Sequence, residues 1–221
     1  EENGCSLIGG HSAEAEQLQF GMAVNGFAAP ETILTKSNLK IGDTLILTKP
    51  LGSGTLLAAD MRHQARHEWM DALMQSMLSS NRKASEISVA HGAHACTDIT
   101  GFGLLGHLLE MLANNCMGVT LLLEQIPTFA GALTTLGSGI VSSLHTDNQL
   151  NAARISNQVD FQNHDLFPVL FDPQTAGGLL ISLPRSRAKA CLDKLVATGH
   201  DRAAIIGEII EAKDAGTIIL S

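Results

Sequence analysis

Tyrosine is absent from these 221 residues, tryptophan occurs once, and aromatic side chains make up 4%. Aromatic anchors dominate protein interfaces and single-strand nucleic-acid grooves, and few are available here. Cations are scarce too: 14 Lys+Arg stand against 22 Asp+Glu, a formal net charge of -8. That balance argues against general phosphate-backbone binding, so no nucleic-acid partner is expected. It leaves nucleotides open, because metal ions can bridge carboxylates to phosphates. Of the four cysteines, Cys5, Cys96, Cys116 and Cys191, no two form a C-x-x-C pair. Such spacing reads as reduced cytosolic thiols and not as a disulfide framework. No stretch reaches the ~18 apolar residues of a membrane helix. No basic segment leads into an apolar one as in a signal peptide. The expected location is the cytoplasm, away from membranes. What the sequence has is a core: 45% hydrophobic residues and a mean hydropathy of +0.16 exclude disorder of the whole chain. The chain starts on Glu1 and runs almost at once into Cys5-Ser-Leu-Ile-Gly-Gly-His, and is expected to be a fragment of a longer protein.

Residues 18–28 alternate in character, carry Phe20 and Val24, and predict a strand. A strand without sheet neighbours leaves unpaired amides, so 1–29 is expected to be less ordered than 43–221 or paired in a non-native way. Pro30 and a polar run break the pattern, and a domain boundary is expected between Pro30 and Gly42; we divide the chain into 1–38 and 39–221. Gly42-Asp43 signals a turn into a short strand closed by Pro50. A glycine loop at 52–54 enters a helix, and 66–90 reads as two helices broken near Ser79. A strongly apolar helix follows Gly101-Phe-Gly. Val119–Leu123 reads as a buried strand, 129–136 as a helix, and 140–165 is mixed and polar. Beyond it come a strand from Gly178, a helix over 185–198, and strands over 203–211 and 216–220. Helices interleave with strands, which predicts an α/β or α+β class with a mixed sheet.

Four segments could carry chemistry. In Gly9-Gly10-His11-Ser12, paired glycines let the backbone approach an anion, with Ser and His as added donors; a plain tight turn is the alternative. In His94-Ala-Cys96-Thr-Asp98, an extended backbone would set His94, Cys96 and Asp98 on one side, a possible soft metal row without a fourth ligand. Asp98 also stands at a strand end before the helix behind Thr100-Gly-Phe-Gly, which suits a Mg²⁺ ion shared with phosphate. An N-cap role for Asp98 or Thr100, and a buried Cys96 acting as a small hydrophobe, remain open. The loop Asp172-Pro-Gln-Thr-Ala-Gly-Gly178 reads as a hinge, a phosphate contact or a connector. Lys49-Pro-Leu-Gly-Ser-Gly-Thr imitates a phosphate loop, but its Lys precedes the glycines, so it is no Walker A site. His63 and His67 fall at i,i+4 on an expected helix without completing H-E-x-x-H, and His107 reads as a satisfied core histidine.

The order of these segments is more specific than any one of them. Gly9-Gly-His-Ser, Leu47-Thr-Lys-Pro-Leu-Gly-Ser-Gly, Ala95-Cys-Thr-Asp-Ile-Thr-Gly-Phe-Gly-Leu-Leu-Gly-His-Leu and Phe171-Asp-Pro-Gln-Thr-Ala-Gly-Gly-Leu-Leu resemble the selenophosphate synthetases, the selenide, water dikinases. The resemblance spans essentially the whole chain. It implies an aminoimidazole ribonucleotide synthetase-like fold: a remnant of an ATP-binding first domain, then a complete C-terminal domain. It implies formation of selenophosphate, AMP and phosphate from selenide, ATP and water with Mg²⁺, in a homodimer with ATP at the interface. Residue by residue, Asp98 matches a Mg²⁺ ligand, and Gly9, Gly10 and His11 match a segment reaching ATP across the dimer, with Ser12 beside it. The family's catalytic Cys or selenocysteine, its Lys and its first-domain aspartates have no counterpart here, so these residues are expected to be inactive alone. Two alternatives stand: a sister phosphotransferase of the same superfamily, and a non-catalytic binding or regulatory module.

Overall fold

The computed structural model describes residues 3–113 and 116–221 and divides the chain into two units, meeting between Ile33 and Leu34. In the first unit the described residues form no strand and no α-helix. A 3-10 turn spans Pro30–Thr32, where the Thr32 amide and hydroxyl both donate to the Ala29 carbonyl. The strand expected over 18–28 is therefore corrected: these residues form no strand and their side chains are exposed, among them Leu18, Phe20, Met22 and Val24. Alternation specifies which face a strand buries, but a strand persists only against a ladder partner.

The second unit holds six strands and eight helices among its described residues: β1 (Asp43–Leu47), α1 (Ser53–Asp60), α2 (His67–Leu78), α3 (Arg82–Ala90), β2 (Ala95–Asp98), α4 (Gly103–Leu112), β3 (Met117–Leu121), α5 (Ala132–Gly137), α6 (His145–Asn148), α7 (Gln158–Phe161), β4 (Leu179–Pro184), α8 (Arg185–Ala197), β5 (Ala204–Glu211) and β6 (Thr217–Leu220). The strands form one sheet in the order β2-β4-β1-β5-β3-β6. Neighbours are antiparallel except β3 and β6. The mixed α/β expectation holds. No helix among the described residues is long and apolar enough to cross a membrane.

Every residue of β1 is buried because the sheet is covered on both faces. Leu45 and Leu47 join the larger core with α4 residues Leu104, Leu105 and Leu108, while Ile46 turns the other way toward Ala84 and Ile87 of α3 and Cys191 and Leu195 of α8. Two-sided burial explains why the central strands read as continuous apolar runs. Each fully buried Leu or Ile contributes about 2 kcal/mol relative to exposure. The stretch over 140–165 holds only two four-residue helices and a 3-10 segment, and is polar because much of it faces solvent. His63 is not on a helix: it sits in a turn at φ 57°, while His67 opens α2. The face they were expected to share is thus corrected, since α1 stops at Asp60 and no helical hydrogen bonds carry it to α2.

Candidate functional site

One end of the sheet gathers three of the four motif segments. Antiparallel pairing sets Asp98, the last residue of β2, opposite Leu179, the first of β4, and Leu47, the last of β1, opposite Leu180. Backbone bonds then join the loops: Thr48 N–H donates to Leu179 O (3.0 Å), Ile99 N–H to Gly178 O (2.9 Å), and Gln174 N–H to Thr100 O (2.9 Å). The approach is close enough to require glycine. A Cβ on Gly177 would stand 2.1 Å from the Ile99 carbonyl oxygen, and one on Gly103, at φ +67°, would stand 3.0 Å from the Phe171 backbone.

The polar groups of the Asp172–Gly178 loop are used inside the protein. Gln174 Oε1 accepts from the amides of Gly52 (3.1 Å) and Ser53 (3.2 Å) and from the Ser53 hydroxyl (3.1 Å). Its Nε2 donates to the carbonyl oxygen (2.7 Å) and Oδ2 (2.9 Å) of Asp172. Asp172 is fully buried, and its Oδ2 also accepts from the Gly54 amide at 3.0 Å. Together they occupy amides that a helix N-terminus leaves unpaired, here those of α1. The phosphate-loop imitation is thus filled by the chain's own side chains, which gives the rejection of a Walker A site its physical reason. Burial pushes the Asp172 carboxyl up to about 7, against the hydrogen bonds from Gln174, Gly54 and Thr55, and its Oδ1 has no partner among the described residues. Lys49 Nζ donates to the carbonyls of Ser76 (2.9 Å), Ser79 (2.7 Å) and Ala176 (3.2 Å), tying the end of α2 to the same loop. Burial lowers its pKa.

Asp98 differs from these residues. Along β2 the side chains alternate: Ala95 and Thr97 are buried, His94 and Cys96 half-buried, Asp98 exposed. The expected common side exists, but it is not a metal row. No three His, Cys, Asp or Glu side chains converge on a metal-sized site among the described residues. His94 Nδ1 lies 2.9 Å from both carboxylate oxygens of Asp43, which also accepts from Ser182 Oγ at 2.7 Å. Burial, with the Asp98 charge adding to it, pushes the Cys96 thiol up to about 12, far from a thiolate ligand. The Asp98 carboxylate enters no ion pair among the described residues. It fits a hard cation as one contributor, because Mg²⁺ is held by one or two carboxylates and keeps several waters.

Two residues beyond Asp98 a polar chain begins. Thr100 Oγ1 lies 3.1 Å from His107 Nε2, His107 Nδ1 lies 2.9 Å from Glu110 Oε2, and Lys36 Nζ donates to that carboxylate at 2.9 Å. His107 is therefore the satisfied core histidine expected from sequence. Hydrogen bonding from Lys36 is the main cause holding the Glu110 carboxyl below its usual range, with partial burial opposing it. Gly9, Gly10, His11 and Ser12 lie in the first unit, all exposed, and a Cβ on Gly9 or Gly10 would meet nothing within 4 Å.

The sequence reading missed what Asp172, Gln174 and Lys49 do, and the chain from Thr100 to Lys36. The available signal was polar residues embedded between glycines and long apolar runs, which are costly to bury unless paired.

The family described as AIR synthase related protein, C-terminal domain, matches residues 40–219. A selenide, water dikinase of Pelobacter propionicus is 38% identical over 210 residues, covering 95% of this chain and 60% of the relative. One of Myxococcus xanthus is 39% identical over 218 residues, covering 96% of this chain and 61% of the relative. The chain thus spans about three-fifths of the length of these relatives. Among solved structures, hydrogenase maturation protein HypE in complex with ATP superposes with a TM-score of 0.61 at 17% identity, over 85% of this chain and 49% of that one. Thiamine monophosphate kinase of Aquifex aeolicus gives 0.52 at 16% identity, over 85% and 53%.

Proposed function

The chain belongs to the AIR synthase related protein family through its C-terminal domain, and on that premise we propose that it forms the C-terminal part of a selenide, water dikinase. The parent enzyme makes selenophosphate, AMP and phosphate from selenide, ATP and water, in the cytoplasm and as a homodimer. The observation that carries this reading is the match to relatives of that name over nearly the entire chain, at 35–39% identity in several of them. The convergence of the Lys49, Asp98 and Asp172 segments on one sheet end supports it, since the motif residues then share one locus.

In this reading Asp98 presents its exposed carboxylate as one Mg²⁺ ligand, and Gly9, Gly10 and His11, with Ser12 beside them, contact ATP bound to the dimer partner. The metal supplies charge neutralisation at the transferring phosphoryl group. The chain's own work is positional. Gln174 and Asp172 lock α1 onto the loop that holds Ile99 and Thr100, so Asp98 is carried on a rigid backbone. One carboxylate is a weak site on its own, so these residues alone bind ATP–Mg²⁺ at about millimolar or weaker, near 4 kcal/mol, and turnover needs the full-length enzyme.

Selenide-dependent AMP formation by the full-length protein tests the proposal. Nucleotide turnover that ignores selenide, or that yields ADP as the final product, would assign the protein to a sister phosphotransferase.

A further inference from the structure

Asn148 stands on α6, in the 140–165 stretch where the sequence offers no motif, yet it is only 6% exposed. Its Nδ2 donates to the Gly101 carbonyl at 2.9 Å and to the Phe171 carbonyl at 3.0 Å, 47 and 23 residues away. Both partners are carbonyl oxygens, which only accept, so the amide nitrogen has to face them and both of its protons are used. Both carbonyls lie outside the sheet ladder, Gly101 in a turn and Phe171 at the end of a 3-10 segment. Buried carbonyls in such irregular backbone need a donor from elsewhere, and leaving one unpaired is costly. A four-residue helix does not persist by itself. The buried face of α6 holds it: His145, three residues before Asn148, sets its ring edge-on to Phe171 at 6.3 Å between centroids.

These two bonds complete a series. β2 is a four-residue edge strand, and its last rung pairs Asp98 with Leu179. Beyond that rung the Ile99 amide is held by the Gly178 carbonyl, the Thr100 carbonyl by the Gln174 amide, and the Gly101 carbonyl by Asn148. The first two ties come from the Asp172–Gly178 loop, and Asn148 grips the entrance of that loop as well, at Phe171. We infer that Asn148 is a positioning residue, a clasp whose single amide fixes the turn after Asp98 against the Phe171–Gly178 loop and so steadies the end of β2 for the proposed site. It acts only through backbone. The inference rests on the proposed role of Asp98 and adds a residue to it.

The first measurement is amide hydrogen exchange of the 221-residue chain. Asn148→Leu keeps the volume and removes both donors; Asn148→Ala removes them and admits water, and serves if the leucine variant does not fold. In either variant the Ile99 and Gln174 amides should exchange at least about fivefold faster, the worth of one hydrogen bond, beyond any change shared by the amides of β1. The second measurement is Mn²⁺ affinity, read from paramagnetic broadening of the amide signals around Asp98 at a temperature where every variant is folded. Loss of the clasp should weaken binding about fivefold, a change that a lowered melting temperature alone does not produce in folded protein. Exchange at Ile99 and Gln174 that rises no more than in β1 overturns the inference. So does wild-type affinity in the Asn148 variants while Asp98→Asn loses it, and that result spares the role of Asp98. Affinity unchanged by Asp98→Asn removes the proposed metal role of Asp98, and the inference with it.

Discussion

Asp172→Asn should stabilise the protein at alkaline pH and be close to neutral in acid. Asp172 is fully buried, and its carboxyl is raised to about 7 from an ordinary value of 3.8. The folded state therefore keeps a proton that the unfolded state has released. The stability this contributes is complete below the unfolded value near 4 and is lost as pH rises through the folded value near 7. A gap of about 3 units at about 1.4 kcal/mol per unit sets a ceiling of about 4 kcal/mol. Asn imitates the protonated acid: its carbonyl can accept from Gly54 and Gln174, and its amide replaces the O–H on the side where Oδ1 has no partner. Melting curves of both proteins at pH 5, 6, 7 and 8 isolate the effect. Buried His145 and His200, whose pKa values burial lowers, destabilise both proteins equally in acid and cancel in the difference. The variant should gain as pH rises from about 4 to about 7 and level off by pH 8, at up to roughly 8–16 °C for about 2–4 °C per kcal/mol. A pH-independent difference, or a variant less stable by the same amount throughout, would refute the reasoning.

Three further expectations concern stability and reactivity. Gly177→Ala drives a methyl group to 2.1 Å from the Ile99 carbonyl and should cost about 3 kcal/mol or more in urea unfolding; a near-neutral result would mean the two loops are not in contact. Lys49→Met leaves the Ser76, Ser79 and Ala176 carbonyls without their donor, and a loss of about 2 kcal/mol is expected from the same assay, with no loss arguing against the tie. At pH 8 a thiol reagent should label exposed Cys5 and Cys116 quickly, leaving Cys96 (about 12) and Cys191 (about 11) until the chain is denatured; early labelling of Cys96 would contradict its burial.

The elements with strong local signals were legible. The glycine loop into α1, the break between α2 and α3, and the apolar run of α4 all stand where periodicity and breakers placed them. β3 was placed two residues late, because Leu122 and Leu123 continue its apolar run although the chain there already turns into a 3-10 segment. The strand over 18–28 failed for a different reason: alternation states what a strand would bury, and pairing depends on residues elsewhere. The place of Asp98 at the end of a strand was legible from its position before Thr100-Gly-Phe-Gly. The roles of Asp172 and Gln174 were not, because they lie more than 100 residues from the amides they satisfy. The same limit hid the 74-residue span from Lys36 to Glu110.

The most direct test of the proposed function is Asp98→Asn in the full-length enzyme, read as selenide-dependent AMP formation across a Mg²⁺ titration beside a melting curve. Asn keeps the shape and one carbonyl oxygen and caps a helix nearly as well as Asp, so the melting temperature should hardly move. Activity should fall at least a hundredfold, since displaced metal forfeits several kcal/mol of charge stabilisation, and added Mg²⁺ should recover part of it. Activity near that of the wild type, with a lowered melting temperature and no dependence on Mg²⁺, would make Asp98 a structural residue and contradict the account.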